Sequence, residues 1–209
     1  MEISAKRVSD LRATTGAGLM DCKKALVEAQ GNEEAAIEIL RKKGVATAAK
    51  KAGRTAAQGL VAAYIHSNNK VGVLIEVACE SDFVAKNEVF QAFVQDVAAK
   101  NEDFKAFVKD LCMHIAAAAP LCITREEIPA DVIAKEKEIA MAQLADDKKP
   151  EAIKEKIVAG KLDKIISGMA LLEQPFVKDD KMTVGDLLTH KIATIGEKIE
   201  IKRFTRYQI

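Results

Sequence analysis

The sequence predicts an α+β fold, in which a block of short helices precedes a core of longer helices and a small antiparallel sheet. Three observations predict it. The first 45 residues are cut by glycines into short stretches with apolar residues at helical spacing. Two runs rich in β-branched residues follow, Gly59 to His66 and Val71 to Cys79, separated by Ser67-Asn68-Asn69-Lys70. Those four residues are hairpin-turn chemistry. The rest returns to helical periodicity before a last β-rich run, Ile199 to Tyr207.

Taken in order, Ser4 caps a helix that carries Val8 and Leu11 inward and ends before Gly16. Gly18 opens a second helix, with Cys22, Ala25, Leu26 and Ala29 on one face, and Gly31 stops it. Asn32 is an N-cap for a third, with Glu33 and Glu34 near the positive end of the helix dipole. Ala36, Ile37 and Leu40 face a core, and Gly44 is read as the glycine that ends this helix. Residues 1–45 thus form a three-helix docking module of the ubiquitin-associated (UBA-like) kind, and 46–55 a linker helix. Residues 56–130 hold the strand hairpin and two helices, Asn87 to Ala99 and Phe104 to Ala119, the second stopped by Pro120.

A helical hairpin occupies 131–170. Its first helix is Asp131 to Ala145, its turn Asp146-Asp147-Lys148-Lys149, and Pro150 starts a second that runs through Gly160 to Met169. Narrow apolar stripes among many charges suggest a projecting coiled-coil arm or a dimer contact. Residues 171–209 complete the core sheet. Gln174-Pro175-Phe176-Val177 reads as a loop, Thr183 caps a helix over Val184 to Ile195, and Gly196 ends it before the last strand.

Composition narrows the function. The chain has 209 residues, 30% of them charged, and a net charge of +1 from 32 basic and 31 acidic side chains. A nucleic-acid binder carries a basic excess to neutralise phosphates, and the 4% of aromatics leave little with which to stack bases. Direct nucleic-acid binding is therefore not expected. Cys22, Cys79, Cys112 and Cys122 form no CxxC pair and sit in apolar runs, and His66, His114 and His190 are scattered, so neither metal nor cofactor is expected. With no signal-peptide core and no apolar stretch of membrane-spanning length, a reducing cytoplasm is the expected compartment, without membrane attachment.

No catalytic motif is present either. Gly16-Ala17-Gly18 lacks the ending of a phosphate loop and follows no strand, and there is no GxSxG or HExxH. The carboxylates lie mostly beside lysines, as solvated charge does. The expectation is a protein that acts by gripping another protein, and not an enzyme. One segment stands out: Cys79-Glu80-Ser81-Asp82-Phe83-Val84 leaves an apolar strand and enters a helix. On pattern alone Ser81 is an N-cap and Phe83 fills the core. An aromatic ring in so polar a turn is otherwise expected to insert elsewhere.

Two longer stretches resemble a known family. Leu11-Arg12-Ala13-Thr14-Thr15-Gly16-Ala17-Gly18-Leu19-Met20-Asp21-Cys22-Lys23-Lys24-Ala25-Leu26 is similar to the N-terminal signature of the elongation factor Ts family. Glu76-Val77-Ala78-Cys79-Glu80-Ser81-Asp82-Phe83-Val84-Ala85-Lys86-Asn87 resembles its second signature. Met113-His114-Ile115-Ala116 and Gln174-Pro175-Phe176-Val177 match further habits of the family. The resemblance covers essentially the whole chain.

It implies a guanine-nucleotide exchange factor for elongation factor Tu. Asp82 and Phe83 would be the residues that intrude on the GTPase, with Ser81, where the family more often has Thr, and Val84 shaping the turn. The intrusion would shift the elements that hold Mg²⁺. Arg12, Leu19 and Met20 would dock the N-terminal module. Met20 lies off its helix's apolar stripe, whereas Leu19 lies on it and is read equally as core. His114 matches a position that meets a second domain of the GTPase, and is read equally as a satisfied core histidine; Phe176 is read as packing. The chain carries one core where longer members carry two, so the resemblance implies a homodimer in a 2:2 complex. Other readings are an RNA-associated adaptor, suggested by Arg41-Lys42-Lys43, Lys50-Lys51 and Arg54, and a receptor for a ubiquitin-like fold, suggested by the N-terminal module.

Overall fold

The computed structural model describes residues 3–82, 95–144 and 150–209, with backbone alone for 95–103. Local capping builds the first helices. Helix α1 is Ala5–Thr15: the Ser4 hydroxyl accepts from the Arg7 N–H at 3.4 Å, and Gly16 leaves the helix at φ 63°. Helix α2 is Leu19–Glu28, with Gly18 at its N-cap. The chain then turns through Gln30 and Gly31, both at positive φ. Asn32 caps helix α3 by accepting from the Ala35 N–H at 3.1 Å. Val8, Leu11, Cys22, Ala25, Leu26 and Ala36 form the core of these three helices, and each Leu or Val so buried contributes about 1.5–3 kcal/mol.

Helix α3 spans Glu33–Lys51 and does not end at Gly44, which corrects the sequence expectation. The glycine lies inside the helix, buried, where a Cβ would stand 3.7 Å from that of Ala193. The residues after it, Val45 to Lys51, contain no breaker, so the helix absorbs the glycine and the expected linker helix is its continuation.

Strands β1 (Gln58–Ile65) and β2 (Val71–Cys79) are joined by a turn in which His66 N–H donates to the Val71 carbonyl at 2.9 Å and Asn69 takes φ 55°. The three-stranded antiparallel sheet has the order β1-β2-β5, with β5 at Ile199–Gln208, so β2 is central. Gly59 sits at φ 151°, where a Cβ would come within 2.2 Å of the Val77 carbonyl oxygen. Only glycine allows that approach.

Helix α4, Gln95–Ala118, is unbroken where the sequence suggested a gap between two helices. Lys100 to Asp103 is polar but holds neither Gly nor Pro, and polarity alone does not end a helix. The part of the expected first helix before Gln95 lies outside the described residues. Phe104, Phe107, Val108, Leu111, Cys112 and Ile115 make the buried stripe of α4. Ala119, at φ 47°, and Pro120 then end it.

Helices α5 (Ala130–Ala142) and α6 (Glu151–Met169) pack on each other. Pro150 is the N-cap of α6 and not its first helical residue, a one-residue correction, with ψ 145° still outside the helical range. The expected turn over 146–149 lies outside the described residues. Cys122, Ile128 and Ala170 form a core with Val132, Ile133, Ile166 and Met169. The Arg125 guanidinium ties this region by gripping Glu173 and, at 3.2 Å, Asp163.

The expected loop at 174–177 is in part a strand. Strand β3, Pro175–Phe176, pairs antiparallel with β4, Asp179–Thr183, around Val177-Lys178. Proline is acceptable as the first residue of such a short edge strand. Helix α7, Val184–Ile195, starts at a reciprocal cap: the Thr183 hydroxyl accepts from the Asp186 N–H at 3.0 Å, and the Asp186 carboxylate accepts from the Thr183 N–H at 3.1 Å. Gly196, at φ 82°, ends it.

Two compact units gather these elements. One comprises Met1–Ala62, Ile75–Asp110 and Leu187–Lys202; the other comprises Ala63–Leu74, Leu111–Asp186 and Arg203–Ile209. Each is made of stretches far apart in sequence.

Candidate functional site

The central strand β2 ends at Cys79, where the sequence turns from apolar to Glu80-Ser81-Asp82. The first unit holds this exit from the strand with the charged side chains of Glu197 and Arg54 and with the Lys198 backbone. Ser81 donates twice to Glu197: its N–H to Oε2 at 3.1 Å and its hydroxyl to Oε1 at 2.5 Å. Glu80 answers in the opposite sense, accepting from the Lys198 N–H. Its carboxylate also pairs with the Arg54 guanidinium at 3.2 Å, and the Lys51 ammonium donates to the Gly196 carbonyl. Two segments, 80–81 and 196–198, thus exchange carboxylate-to-backbone hydrogen bonds, and Lys51 at the end of α3 and Arg54 just beyond it close the network.

Electrostatics follow this geometry. The Lys198 N–H, with help from Arg54, holds the Glu80 carboxyl below its ordinary range. Burial, reinforced by the nearby Glu197 carboxylate, pushes the Cys79 thiol up to about 11, and its Sγ donates to the Ser81 carbonyl at 3.2 Å. Asp82 is exposed, at the first helical position after Ser81. Phe83 and Val84 lie outside the described residues, as do the amides that Ser81 would cap.

The other predicted residues fall in two places. Arg12 is exposed near the end of α1, and Leu19 and Met20 occupy the first turn of α2 with 49% and 61% of their surfaces accessible. Leu19 is therefore on the surface and not in the core. His114 belongs to the second unit and is fully buried. Its Nε2 lies 2.9 Å from Gln174 Oε1, and its Nδ1 accepts from the Val177 N–H at 3.3 Å. The ring has no free surface through which to touch another protein; its neighbour Val177 is 47% exposed. Phe176 is buried beside it, with ring centroids 6.0 Å apart.

Glu197 and Lys198 were not legible as site residues. In sequence they are a polar pair after a helix-ending glycine, with nothing to connect them to Ser81. Among the described residues, no three His, Cys, Asp or Glu side chains cluster in a way that could hold a metal ion, and no helix is long and apolar enough to cross a membrane.

A family model described as Elongation factor TS matches residues 96–209, more than half of the chain. Proteins named Elongation factor Ts match over nearly all of it. That of Anaeromyxobacter sp. (strain Fw109-5) is 54% identical over 206 residues, which are 99% of this chain and 88% of the relative. The chain belongs to the elongation factor Ts family. The relative from Geobacter metallireducens is 53% identical and covers 100% of this chain and 90% of its own length. That from Moorella thermoacetica is 53% identical over 99% of this chain and 95% of its own length. The family model begins after Asp82, whereas the Geobacter match takes in α1, α2 and the Ser81-Asp82 turn as well. Membership in the elongation factor Ts family makes the chain a translation elongation factor.

Proposed function

We propose that this member of the elongation factor Ts family is a guanine-nucleotide exchange factor, which binds elongation factor Tu carrying GDP and accelerates GDP release. The observation that carries the reading is the exit from the central strand: it leads to a doubly bonded serine, Ser81, followed by an exposed aspartate, Asp82. A wedge needs a stiff root, because a compliant one would yield before the partner does.

In this reading Asp82 and Phe83 are the intruding residues, and Ser81 and Val84 shape the turn. Arg12, Leu19 and Met20 dock the N-terminal module, two of them as exposed apolar side chains at one helix start. His114, at the position expected to meet a second domain of the GTPase, is buried, and acts there through the Val177 backbone that it holds. Nucleotide in a GTPase is held by Mg²⁺ and by backbone donors around the phosphates, a constellation that tolerates little displacement. Intrusion of the turn shifts the elements that carry the Mg²⁺ ligands, and the phosphates lose their counter-charge. The factor makes and breaks no covalent bond, so it is not an enzyme. Linkage then requires that nucleotide weaken factor binding as much as the factor weakens nucleotide binding. The complex is a 2:2 assembly of a factor homodimer with two GTPases, in the cytoplasm.

The test is release of a fluorescent GDP from purified elongation factor Tu, with the wild-type chain and with Phe83→Ala. Strong acceleration by the wild type and much less by the variant, with complex formation retained, is the expected result. No acceleration by the wild type overturns the reading; equal acceleration by both removes Phe83 from the mechanism. Light scattering tests the assembly, and a monomer that still exchanges nucleotide refutes the need for a dimer.

A further inference from the structure

We propose that Glu197 is a positioning residue for nucleotide release: with Glu80 it forms a reciprocal latch that fixes the direction in which Ser81 presents the Asp82 turn. This role rests on the exchange reading above and deepens it.

The geometry carries the argument. A surface carboxylate ordinarily spends its oxygens on water, and an exposed pair adds little. Glu197 instead commits both oxygens to one residue, taking the Ser81 N–H at 3.1 Å and the Ser81 hydroxyl at 2.5 Å. Binding the backbone donor and the side-chain donor together fixes the orientation of Ser81, since rotation about its φ or χ1 breaks one bond or the other. Hydrogen bonds to a charged acceptor are also the strong ones.

The return bond makes the device a latch. Glu80, the residue before Ser81, accepts from the N–H of Lys198, the residue after Glu197. Neither segment can slide along the other without breaking both contacts. Lys51 and Arg54 then tie the latch to the end of α3, the helix that begins in the docking module. A pull that starts where the factor docks therefore reaches the root of the turn through charged hydrogen bonds. Cys79 adds a third hold, through its thiol on the Ser81 carbonyl at 3.2 Å.

The experiment measures two quantities separately: the maximal rate of GDP release from elongation factor Tu at saturating factor, and the factor concentration that gives half of it. Glu197→Ala is expected to lower the maximal rate about tenfold or more, the scale of a lost charge-assisted hydrogen bond, with the half-saturating concentration changed less than about twofold. Glu197→Gln, which keeps an acceptor oxygen for Ser81 and is the milder change should alanine unfold the chain, is expected to recover part of the rate. Ser81→Ala combined with Glu197→Ala is expected to lower the rate by less than the product of the two single defects, because the contact they share is removed twice. Amide hydrogen exchange at Ser81 and Lys198 is expected to quicken in Glu197→Ala.

A folded Glu197→Ala factor that releases GDP at the full maximal rate overturns the proposal. So does a loss confined to the half-saturating concentration, or a double variant whose defects add. A wild-type chain that leaves release unaccelerated overturns the exchange reading and this role with it; full wild-type activity with an indifferent Glu197→Ala overturns this role alone.

Discussion

His114 Nε2 stands 2.9 Å from Gln174 Oε1, and both side chains are buried. The network fixes the tautomer: Nδ1 accepts from the Val177 N–H, so Nε2 carries the proton and donates it to Gln174. Gln174 passes the order on, donating through Nε2 to the Gly168 carbonyl at 2.6 Å. One histidine thereby joins α4, the start of β3 and the end of α6. Replacing it by Phe keeps much of the volume but orphans the Val177 N–H and the Gln174 oxygen. Each buried orphan costs about 1–3 kcal/mol. Urea denaturation of His114→Phe is expected to show a lower midpoint with an unchanged slope.

The same ring sets a pH dependence. Burial lowers the pKa of His114 from its ordinary 6.5, partly opposed by the bond to Gln174. A second proton on the ring would face the Val177 N–H, donor against donor. The folded state therefore resists protonation that the unfolded chain accepts, and stability rises with pH wherever the unfolded state binds more protons. The contribution of His114 is fully present above about pH 6.5 and is lost as pH falls from there through the lower folded value. Thermal unfolding between pH 7.5 and 5 is expected to show a falling midpoint, with a smaller fall in His114→Gln. An equal fall in both proteins would assign the effect to other groups.

These contacts also mark what the sequence could and could not reveal. Helix starts at Ser4, Asn32 and Thr183 were legible because a cap and the amide it binds lie within three residues. The β1–β2 turn was legible for the same local reason. Gly44 was misread because a glycine ends a helix only when the residues after it do not continue the turn, and Val45 to Lys51 do continue it. The β3–β4 pair was missed because two residues carry no periodicity, and only the partner makes them a strand. Within the candidate site, the change from Cys79 to Glu80-Ser81-Asp82 pointed to the turn. Glu197 was invisible, since a carboxylate after a helix-ending glycine looks the same whether it meets water or Ser81.

Gly44 and Gly59 should respond oppositely to alanine. At Gly44 the added Cβ would meet Ala193 at ordinary contact distance, 3.7 Å, inside a regular helix. Alanine is favoured over glycine there by up to about 1 kcal/mol, so Gly44→Ala is expected to raise the unfolding temperature. At Gly59 the Cβ would stand 2.2 Å from the Val77 carbonyl oxygen, with φ at 151°. The strand must then shift, and Gly59→Ala is expected to lower the unfolding temperature by several degrees. Calorimetry on the two variants checks both signs.

Cysteine reactivity gives an independent view of the root of the turn. Cys79 and Cys112 are buried, and burial pushes each thiol up to about 11. At pH 8 only about one such group in a thousand is thiolate, the form that reacts. Native protein is expected to label at these two positions far more slowly than protein unfolded in urea. For Cys79 the Glu197 carboxylate adds to the effect of burial by repelling a thiolate. Removing that charge in Glu197→Ala also frees Ser81, so labelling of Cys79, read by peptide mass spectrometry, should quicken while Cys112 stays slow. Cys112 is the internal control, because burial alone raises it. Equal acceleration at both positions would signify general loosening of the fold, and no acceleration at Cys79 would show that the strand end holds its shape without Glu197.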